Sequence, residues 1–141
     1  MKVPRTSPLT NRELAIYLGI LALLVGFAHS VTWQQRSQTT WISAVALAPA
    51  LAWYLTFSMG RHSAIGMRRL GDFTLHAMTY AVVVGNYWIH AGILTSSNSG
   101  TLHDSWNGPL VGMTAFWGLG LVCHAVMAMR ATIRTKGFEH V

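Results

Sequence analysis

The sequence has little charge of either sign, and acidic residues are the scarcest. Asp and Glu together number 4 in 141 residues, and only 10% of the chain is charged while 52% is apolar. Soluble domains carry roughly 25% charged residues, so this chain has too few charges to cover a globular surface. No acidic residue lies deep in an apolar stretch, which argues against a paired-carboxylate hydrolase or a carboxylate-driven pump.

Cysteine is almost absent as well. The single Cys123 excludes an internal disulfide and a thiolate metal cluster. The sequence also shows no Ser-His-Asp set, no phosphate-binding glycine loop and no zinc-finger spacing. We therefore expect no catalytic centre of the chain's own, and at most an electron-transfer subunit of an oxidoreductase.

Four long apolar segments account for the high hydrophobicity. Each is close to the roughly 20 residues that a helix needs to cross the hydrocarbon of a bilayer. The sequence predicts an all-α fold, an integral membrane antiparallel four-helix bundle that forms a single domain over residues 1–141. The predicted helices are Glu13–Trp33, Trp41–Ser58, Phe73–Thr95 and Pro109–Arg130.

The basic residues are distributed unevenly between the predicted loops. With four spans, nine of the ten Lys and Arg residues fall on one side of the membrane, and Arg36 is the exception. The positive-inside rule makes that side cytoplasmic, so both termini are predicted to be cytoplasmic. The net charge of +6 then reflects contact with the bilayer surface of the cell inner or plasma membrane, and we predict no nucleic-acid partner.

Smaller local signals accompany the predicted spans. Thr10 and Glu13 have the spacing of a capping box at the start of the first helix, and Asp72 is a predicted N-cap for the third. Pro49 should kink the second helix. Asn86 should face the bundle and form an interhelical hydrogen bond beside Tyr87 or Thr114.

Two histidines lie near the two ends of the third predicted span. His76 and His90 are 14 positions apart, which places both rings on nearly one face of a helix, about 21 Å apart along its axis. The first and third spans run outward, so His29 lies at the depth of His90. The fourth runs inward, so His124 lies at the depth of His76. The sequence therefore predicts two layers of two imidazoles each.

Bis-histidine ligation of two b-type haems requires this arrangement, because the axial imidazoles of one haem face each other from different helices of a bundle. Such a chain would transfer electrons across the membrane as a subunit of a larger respiratory or oxidoreductase complex. The predicted iron ligands are the pairs His76 with His124 and His29 with His90, and the predicted lining residues are Tyr80, Tyr87 and Trp117.

Other interpretations remain open. The chain could bind one haem or metal, or be a cofactor-free accessory, assembly or sensory-type subunit whose histidines hydrogen-bond between helices. A pigment-binding subunit is a minor variant, and a copper site is weaker because the methionines do not converge on one histidine. The remaining histidines, predicted to be solvated residues of loops or the tail, are His62, His103 and His140, although His103 with Asp104 is an alternative outer metal or proton site.

The second half of the chain resembles a known pattern. That pattern consists of an aromatic-x-x-His-x-x-x-Tyr helix, a short loop with Trp and Pro, and a Trp-Gly-x-Gly helix that ends in His. The residues that carry it are Phe73, His76, Tyr80, Asn86, Trp106, Pro109, Trp117, Gly118, Gly120 and His124.

In these residues the chain is similar to the two-helix 2TM domain, over roughly residues 68–130. The resemblance implies a helical hairpin of membrane proteins and some sensor kinases, with no agreed chemistry. It implies that His76 and His124 pair near the cytoplasmic face, and it is silent on His29 and His90. The leading hairpin and the lack of a kinase domain depart from the sensor kinases.

Overall fold

The computed structural model describes residues 7–36, 38–68, 70–97 and 102–137, with the backbone alone for 131–137. All regular structure in these residues is helical, which confirms the all-α prediction. The side chains of Lys2, Arg5, Arg69, Arg134, Lys136 and His140 lie outside the described part. The helices are α1 (Asn11–Gln34), α2 (Trp41–Ala46), α3 (Ala48–Gly60), α4 (His62–Gly66), α5 (Gly71–Ser97), α6 (Asn107–Gly112) and α7 (Gly118–Gly137).

Helix α1 begins with the predicted capping box. The Thr10 hydroxyl oxygen accepts from the Glu13 backbone N–H at 3.2 Å, and the Glu13 carboxylate accepts from the Thr10 backbone N–H at 2.9 Å. Two backbone donors that have no partner inside the helix are thereby satisfied. The Glu13 carboxylate also pairs with Arg61, which ties the start of α1 to the end of α3.

The second predicted span is interrupted at Leu47, where α2 ends and α3 begins. Pro49 is the second residue of α3. Proline lacks the backbone N–H that would continue the hydrogen bonds of α2. At the position of the predicted kink the helix is therefore interrupted, and α3 begins.

Helix α5 starts two residues earlier than predicted, at Gly71. Leu70 precedes it with φ of 58°, and a Cβ on Gly71 would lie 2.0 Å from the Ile65 carbonyl oxygen. Glycine at this position lets the turn after α4 pack directly on the α5 backbone. The prediction that Asp72 caps the helix was wrong, because Asp72 is already inside it.

The fourth predicted span contains an irregular turn. A short 3₁₀ turn, Asp104–Trp106, leads into α6, and a π-helical turn, Met113–Trp117, joins α6 to α7. The helix also continues beyond the predicted end at Arg130, to Gly137.

Helices α1 and α5 pack side by side and run parallel. Their contacts advance together along both helices, from the Tyr17 to Thr79 hydrogen bond of 2.8 Å to the contact between His29 and His90. The buried residues of α1 recur every three or four positions, as expected for one face of a helix. They are Leu14, Tyr17, Leu21, Val25, Ala28 and Thr32.

Helices α3 and α7 run antiparallel to α5. The pair of Arg61 with Glu13 places the end of α3 at the start of α1, which runs parallel to α5. The Tyr54 hydroxyl, in the middle of α3, contacts His76 near the start of α5. His124 of α7 contacts the same histidine, while Tyr80 bonds to the Thr114 carbonyl oxygen at 3.3 Å. Helix α5 is therefore the element that carries residues of both histidine layers.

In the described residues, three helical stretches are long and apolar enough to cross a membrane: Asn11–Gln34, Trp41–Gly60 and Asp104–Arg130. This confirms three of the predicted spans by length and composition. Helix α5, with 27 residues, is not among them. Its length is sufficient, but polar side chains, among them His76, Asn86 and His90, lower its mean hydropathy.

Candidate functional site

His29 of α1 and His90 of α5 contact each other directly. Their Nδ1 atoms are 2.9 Å apart, and the ring centroids are 4.7 Å apart with the planes at 87°. A hydrogen bond between two Nδ1 atoms requires one ring to donate and the other to accept. The donating neutral ring then has a bare Nε2, and the accepting ring carries its proton on Nε2.

Both Nε2 atoms of this pair are buried and have no hydrogen-bond partner among the described residues. His90 as a whole is only 7% exposed. Buried polar atoms in proteins are almost always hydrogen-bonded, and each exception needs an explanation such as a water molecule, an ion or a ligand. The two orphaned nitrogens make the His29–His90 pair the strongest candidate site in the described structure.

Aromatic rings enclose the outer pair. Trp33 stacks on His90 with ring centroids 5.8 Å apart. Trp106, which is fully buried, meets His90 edge-on with centroids 5.0 Å apart. Tyr87, a predicted lining residue, contacts His29 at 4.6 Å. Tyr87 and Trp106 are buried and cover one side of the pair, whereas Trp33 is 54% exposed and lies at the groove on the other side.

On its other side the outer pair borders an open groove between α1 and α5, of about 520 Å³. Gly26 and Ser30 form part of its wall, where small residues leave space beside the histidines. Asn86 also lines the groove, and its amide donates to the Val82 carbonyl oxygen of its own helix at 2.7 Å. The predicted interhelical bond of Asn86 was therefore wrong, because the carbonyl one turn earlier is the nearer acceptor.

His76 forms the inner layer with two well-defined hydrogen bonds. Its Nδ1 lies 2.7 Å from the Asp72 carbonyl oxygen, and its Nε2 lies 2.9 Å from the Tyr54 hydroxyl. A carbonyl oxygen can only accept, so Nδ1 carries the proton and the neutral ring presents a bare Nε2 to Tyr54. A histidine that binds a metal is commonly oriented in this way, by donating its other ring N–H to a backbone carbonyl.

His124 of α7 lies beside His76, with ring centroids 5.0 Å apart and planes at 33°. Phe73 stacks on the His124 ring, with ring centroids 6.5 Å apart and an angle of 15° between the ring planes. The inner layer therefore contains the two predicted imidazoles, and α3 contributes a third group through Tyr54.

The other two predicted lining residues lie between the layers. Tyr80 meets Trp117 edge-on at 5.8 Å, and its hydroxyl donates to the Thr114 carbonyl oxygen. Trp117 also lines a cavity between α1, α3 and α5. These two residues join α5 to the π-helical turn.

The histidine pairs suit an iron that already has other donors. No group of three or more His, Cys, Asp or Glu side chains converges on one point in the described residues, whereas a haem supplies its own equatorial ligands and needs only the axial pair. Imidazole nitrogens bind transition metals at about 2.0–2.1 Å, so axial nitrogens lie about 4 Å apart. The ring centroids of the two pairs are 4.7 and 5.0 Å apart, so the rings of each pair would have to separate to accept a macrocycle.

Three residues that contact the paired histidines were not predicted as part of either layer: Trp33, Trp106 and Tyr54. Tyr54 lies at the depth of His76 when α3 is numbered from its inner end, so depth along the spans was a usable signal for it. No spacing in the sequence indicates that Trp106 folds back over His90.

Comparisons with protein-family models, with curated proteins and with solved structures found no match. The geometry of the two layers is therefore the basis for a function.

Proposed function

We propose that this protein is a membrane-embedded subunit of a larger oxidoreductase complex, that its two histidine pairs bind b-type haem, and that it transfers electrons between the two membrane surfaces. The observation that carries the proposal is the pairing itself. His29 meets His90, and His76 meets His124, in each case from two different helices. The two pairs lie at opposite ends of α5, about 21 Å apart along its axis.

The proposal includes a four-span topology in which α5 also crosses the cell inner or plasma membrane and both termini are cytoplasmic. The parallel packing of α1 on α5 supports this, because two helices in contact from Tyr17–Thr79 to His29–His90 share the same membrane depth. The polar side chains that lower the hydropathy of α5 are partly enclosed, and Thr79 and His90 are buried. Polar groups inside a membrane are expected to face the bundle in this way.

Ligand chemistry favours haem at the outer pair. The Nε2 atoms of His29 and His90 have no partner within the described structure, and a bare imidazole nitrogen is the donor that haem iron takes. One Nε2 is bare while the Nδ1–Nδ1 bond is in place, and the other would become bare when its ring separates and carries the proton on Nδ1 instead. The buried Tyr87 and Trp106 rings exclude water from one side of the pair. Bound haem would supply a one-electron carrier beside these rings.

At the inner pair the protein orients one ligand in advance. The Asp72 carbonyl fixes the His76 proton on Nδ1, which leaves Nε2 as the donor atom. In this structure the Tyr54 hydroxyl donates a hydrogen bond to Nε2. That hydrogen bond would have to break before Nε2 could bind iron. The resemblance of the α5–α7 hairpin to 2TM domains is part of this proposal, and the contact between His76 and His124 supports it.

A reduced-minus-oxidised absorption spectrum tests the proposal. Full-length protein purified from its native membranes should show a b-type α-band after addition of dithionite. A featureless spectrum in protein that remains folded would overturn haem binding. A pigment spectrum without a redox response would instead indicate the light-absorbing variant.

A second candidate function is a cofactor-free accessory subunit, and specific hydrogen bonds favour it. His29 bonds to His90 across α1 and α5, and His76 bonds to Tyr54 across α5 and α3. Interhelical bonds of this kind stabilise membrane bundles by about 0.6 kcal/mol each on average. Under this function the protein co-purifies with larger membrane subunits and carries no chromophore.

A further inference from the structure

A second cavity, distinct from the outer groove, lies inside the bundle. Its volume is about 450 Å³, within the roughly 300–1,000 Å³ range of small-molecule sites. Most of its wall is aliphatic, with Trp117 as a flat aromatic side. The lining residues are Leu21, Leu47, Ala50, Leu51, Tyr54, His76, Thr79, Val83, Met113 and Trp117.

Two helix irregularities border this cavity. Leu47 is the junction between α2 and α3, and Met113 and Trp117 are the first and last residues of the π-helical turn. Single π-turns in α-helices occur frequently at functional sites. The cavity therefore lies where two helices depart from regular α-helical geometry.

The polar end of the cavity is formed by Tyr54 and His76. The Tyr54 hydroxyl lies 2.9 Å from the bare His76 Nε2, so the hydroxyl donates and its oxygen lone pairs remain able to accept. Thr79 offers less to a ligand, because its hydroxyl donates to the Leu75 carbonyl oxygen and accepts from Tyr17. The ligand therefore meets one phenol–imidazole dyad in an otherwise apolar space.

We propose that this cavity binds a lipid-soluble quinone in its oxidised or reduced form, with one ring oxygen hydrogen-bonded to Tyr54. A quinol hydroxyl can donate to the Tyr54 oxygen as the dyad stands. A quinone carbonyl requires a donor, which the same hydroxyl provides when it turns from His76 Nε2. A phenol with a neighbouring imidazole thus matches a ligand that changes between carbonyl and hydroxyl.

The position of the cavity fits a ligand that arrives through the bilayer. Leu51 lines the cavity and is also 59% exposed on the apolar outer face of α3. A quinone ring can therefore lie against Trp117 and Tyr54 while its isoprenoid chain leaves past Leu51 into lipid.

This inference deepens the proposed function, on which its role as electron donor or acceptor rests. Binding itself does not depend on haem, since the cavity and Tyr54 belong to the chain itself. With haem on His76 Nε2 the Tyr54 hydroxyl would be released from the dyad and would donate to a quinone carbonyl. Quinone binding without a haem spectrum would support this inference and refute haem binding. A haem spectrum without quinone binding would support haem binding and refute this inference.

The test uses an azidoquinone photolabel on purified full-length protein in detergent, with decylubiquinone as the competitor and mass spectrometry to find the labelled peptides. We expect competed labelling within 47–54 and 113–117. Ala50→Phe should abolish the competed labelling by filling the cavity. The matched control is Ala52→Phe, two residues along α3 on its exposed side, and it should label like the wild type.

Tyr54→Phe keeps the ring and removes the hydroxyl, so it tests the dyad without filling space. The decylubiquinone concentration that displaces half of the label should rise by about three- to tenfold, the effect of one lost hydrogen bond. Thr56→Val removes an exposed hydroxyl of the same helix, one that bonds to the Ala52 carbonyl oxygen, and should change nothing.

Three results would overturn the proposal. They are labelling outside the cavity segments, competition unchanged in Tyr54→Phe, and displacement by n-decanol as effective as by decylubiquinone. The Tyr54→Phe result stands even where Ala50→Phe does not fold. Competed labelling that follows the dyad and is insensitive to n-decanol supports the proposal.

Discussion

The Nδ1 atoms of His29 and His90 are 2.9 Å apart, although 61 positions separate the two residues in the chain. The bond joins two parallel helices and uses one nitrogen of each ring. The other nitrogen of each ring is buried without a partner among the described residues. This pair is therefore both a contact between helices and a site with two unpartnered ring nitrogens, one bare and one protonated.

Replacing one member of the outer pair should remove only the outer haem. We expect His90→Ala to lose about half of the reduced b-type absorbance, because His76 and His124 lie on the other layer, about 21 Å away along α5. Absorption spectra of the purified variant check this. His103→Ala, an exposed histidine outside both layers, is the control, and loss of the whole signal in His90→Ala would show that the layers are not independent.

The Tyr17–Thr79 hydrogen bond should contribute modestly to stability. Thr79 already donates to the Leu75 carbonyl oxygen at 2.7 Å, so Tyr17 is the donor in the 2.8 Å bond between them. Tyr17→Phe should lower the free energy of unfolding by about 0.6 kcal/mol, the average for interhelical bonds in membrane proteins. Unfolding by SDS in mixed micelles measures this value.

A double-mutant cycle isolates that bond. Thr79→Val alone and in combination with Tyr17→Phe should show a coupling energy of similar size. Strictly additive losses would mean that the two hydroxyls do not interact in the membrane.

Gly71 should be intolerant of any side chain. A Cβ there would lie 2.0 Å from the Ile65 carbonyl oxygen, and relief requires the backbone between α4 and α5 to move. Gly71→Ala should destabilise the protein by about 1–3 kcal/mol, as overpacking does, and lower the Tm in a thermal scan. Gly66→Ala is the matched control, since its Cβ would meet nothing within 4 Å, and equal losses in both variants would refute the close approach.

The crossing of α5 can be tested with cysteine labelling. In a Cys123→Ser background, Ser63→Cys should react with a membrane-impermeant maleimide only from the cytoplasmic side, and Ser97→Cys only from the opposite side. Both serines are exposed, and α5 lies between them. Labelling of both from one side would show that α5 does not cross.

Much of the helical structure could be predicted from hydropathy. Three spans agree with the sequence analysis to within a few residues, because long apolar runs leave a helix few alternatives in a membrane. The capping box at Thr10 was also predictable, since its signal is local. The N-cap prediction for Asp72 failed because the start of α5 depends on Gly71 packing against Ile65. A capping pattern in the sequence gives no information about that contact.

The candidate site was predictable only in its depth. Counting positions along the spans placed each histidine in its layer, and the structure brings the members of each layer into contact. Counting positions could not indicate that Tyr54 bonds to His76, or that Trp33 and Trp106 flank His90. These contacts depend on how the helices are rotated about their axes. The cavity bordered by Leu47 and by the π-helical turn could not be predicted from the sequence for the same reason.

The account depends most directly on whether the chain carries haem. The decisive measurement is the pyridine haemochrome assay on full-length protein purified from native membranes, with protein determined by amino-acid analysis. We predict a b-type spectrum with two haems per chain, one for each histidine pair. Less than a tenth of a haem per folded chain would contradict the account and leave the histidines as contacts between helices.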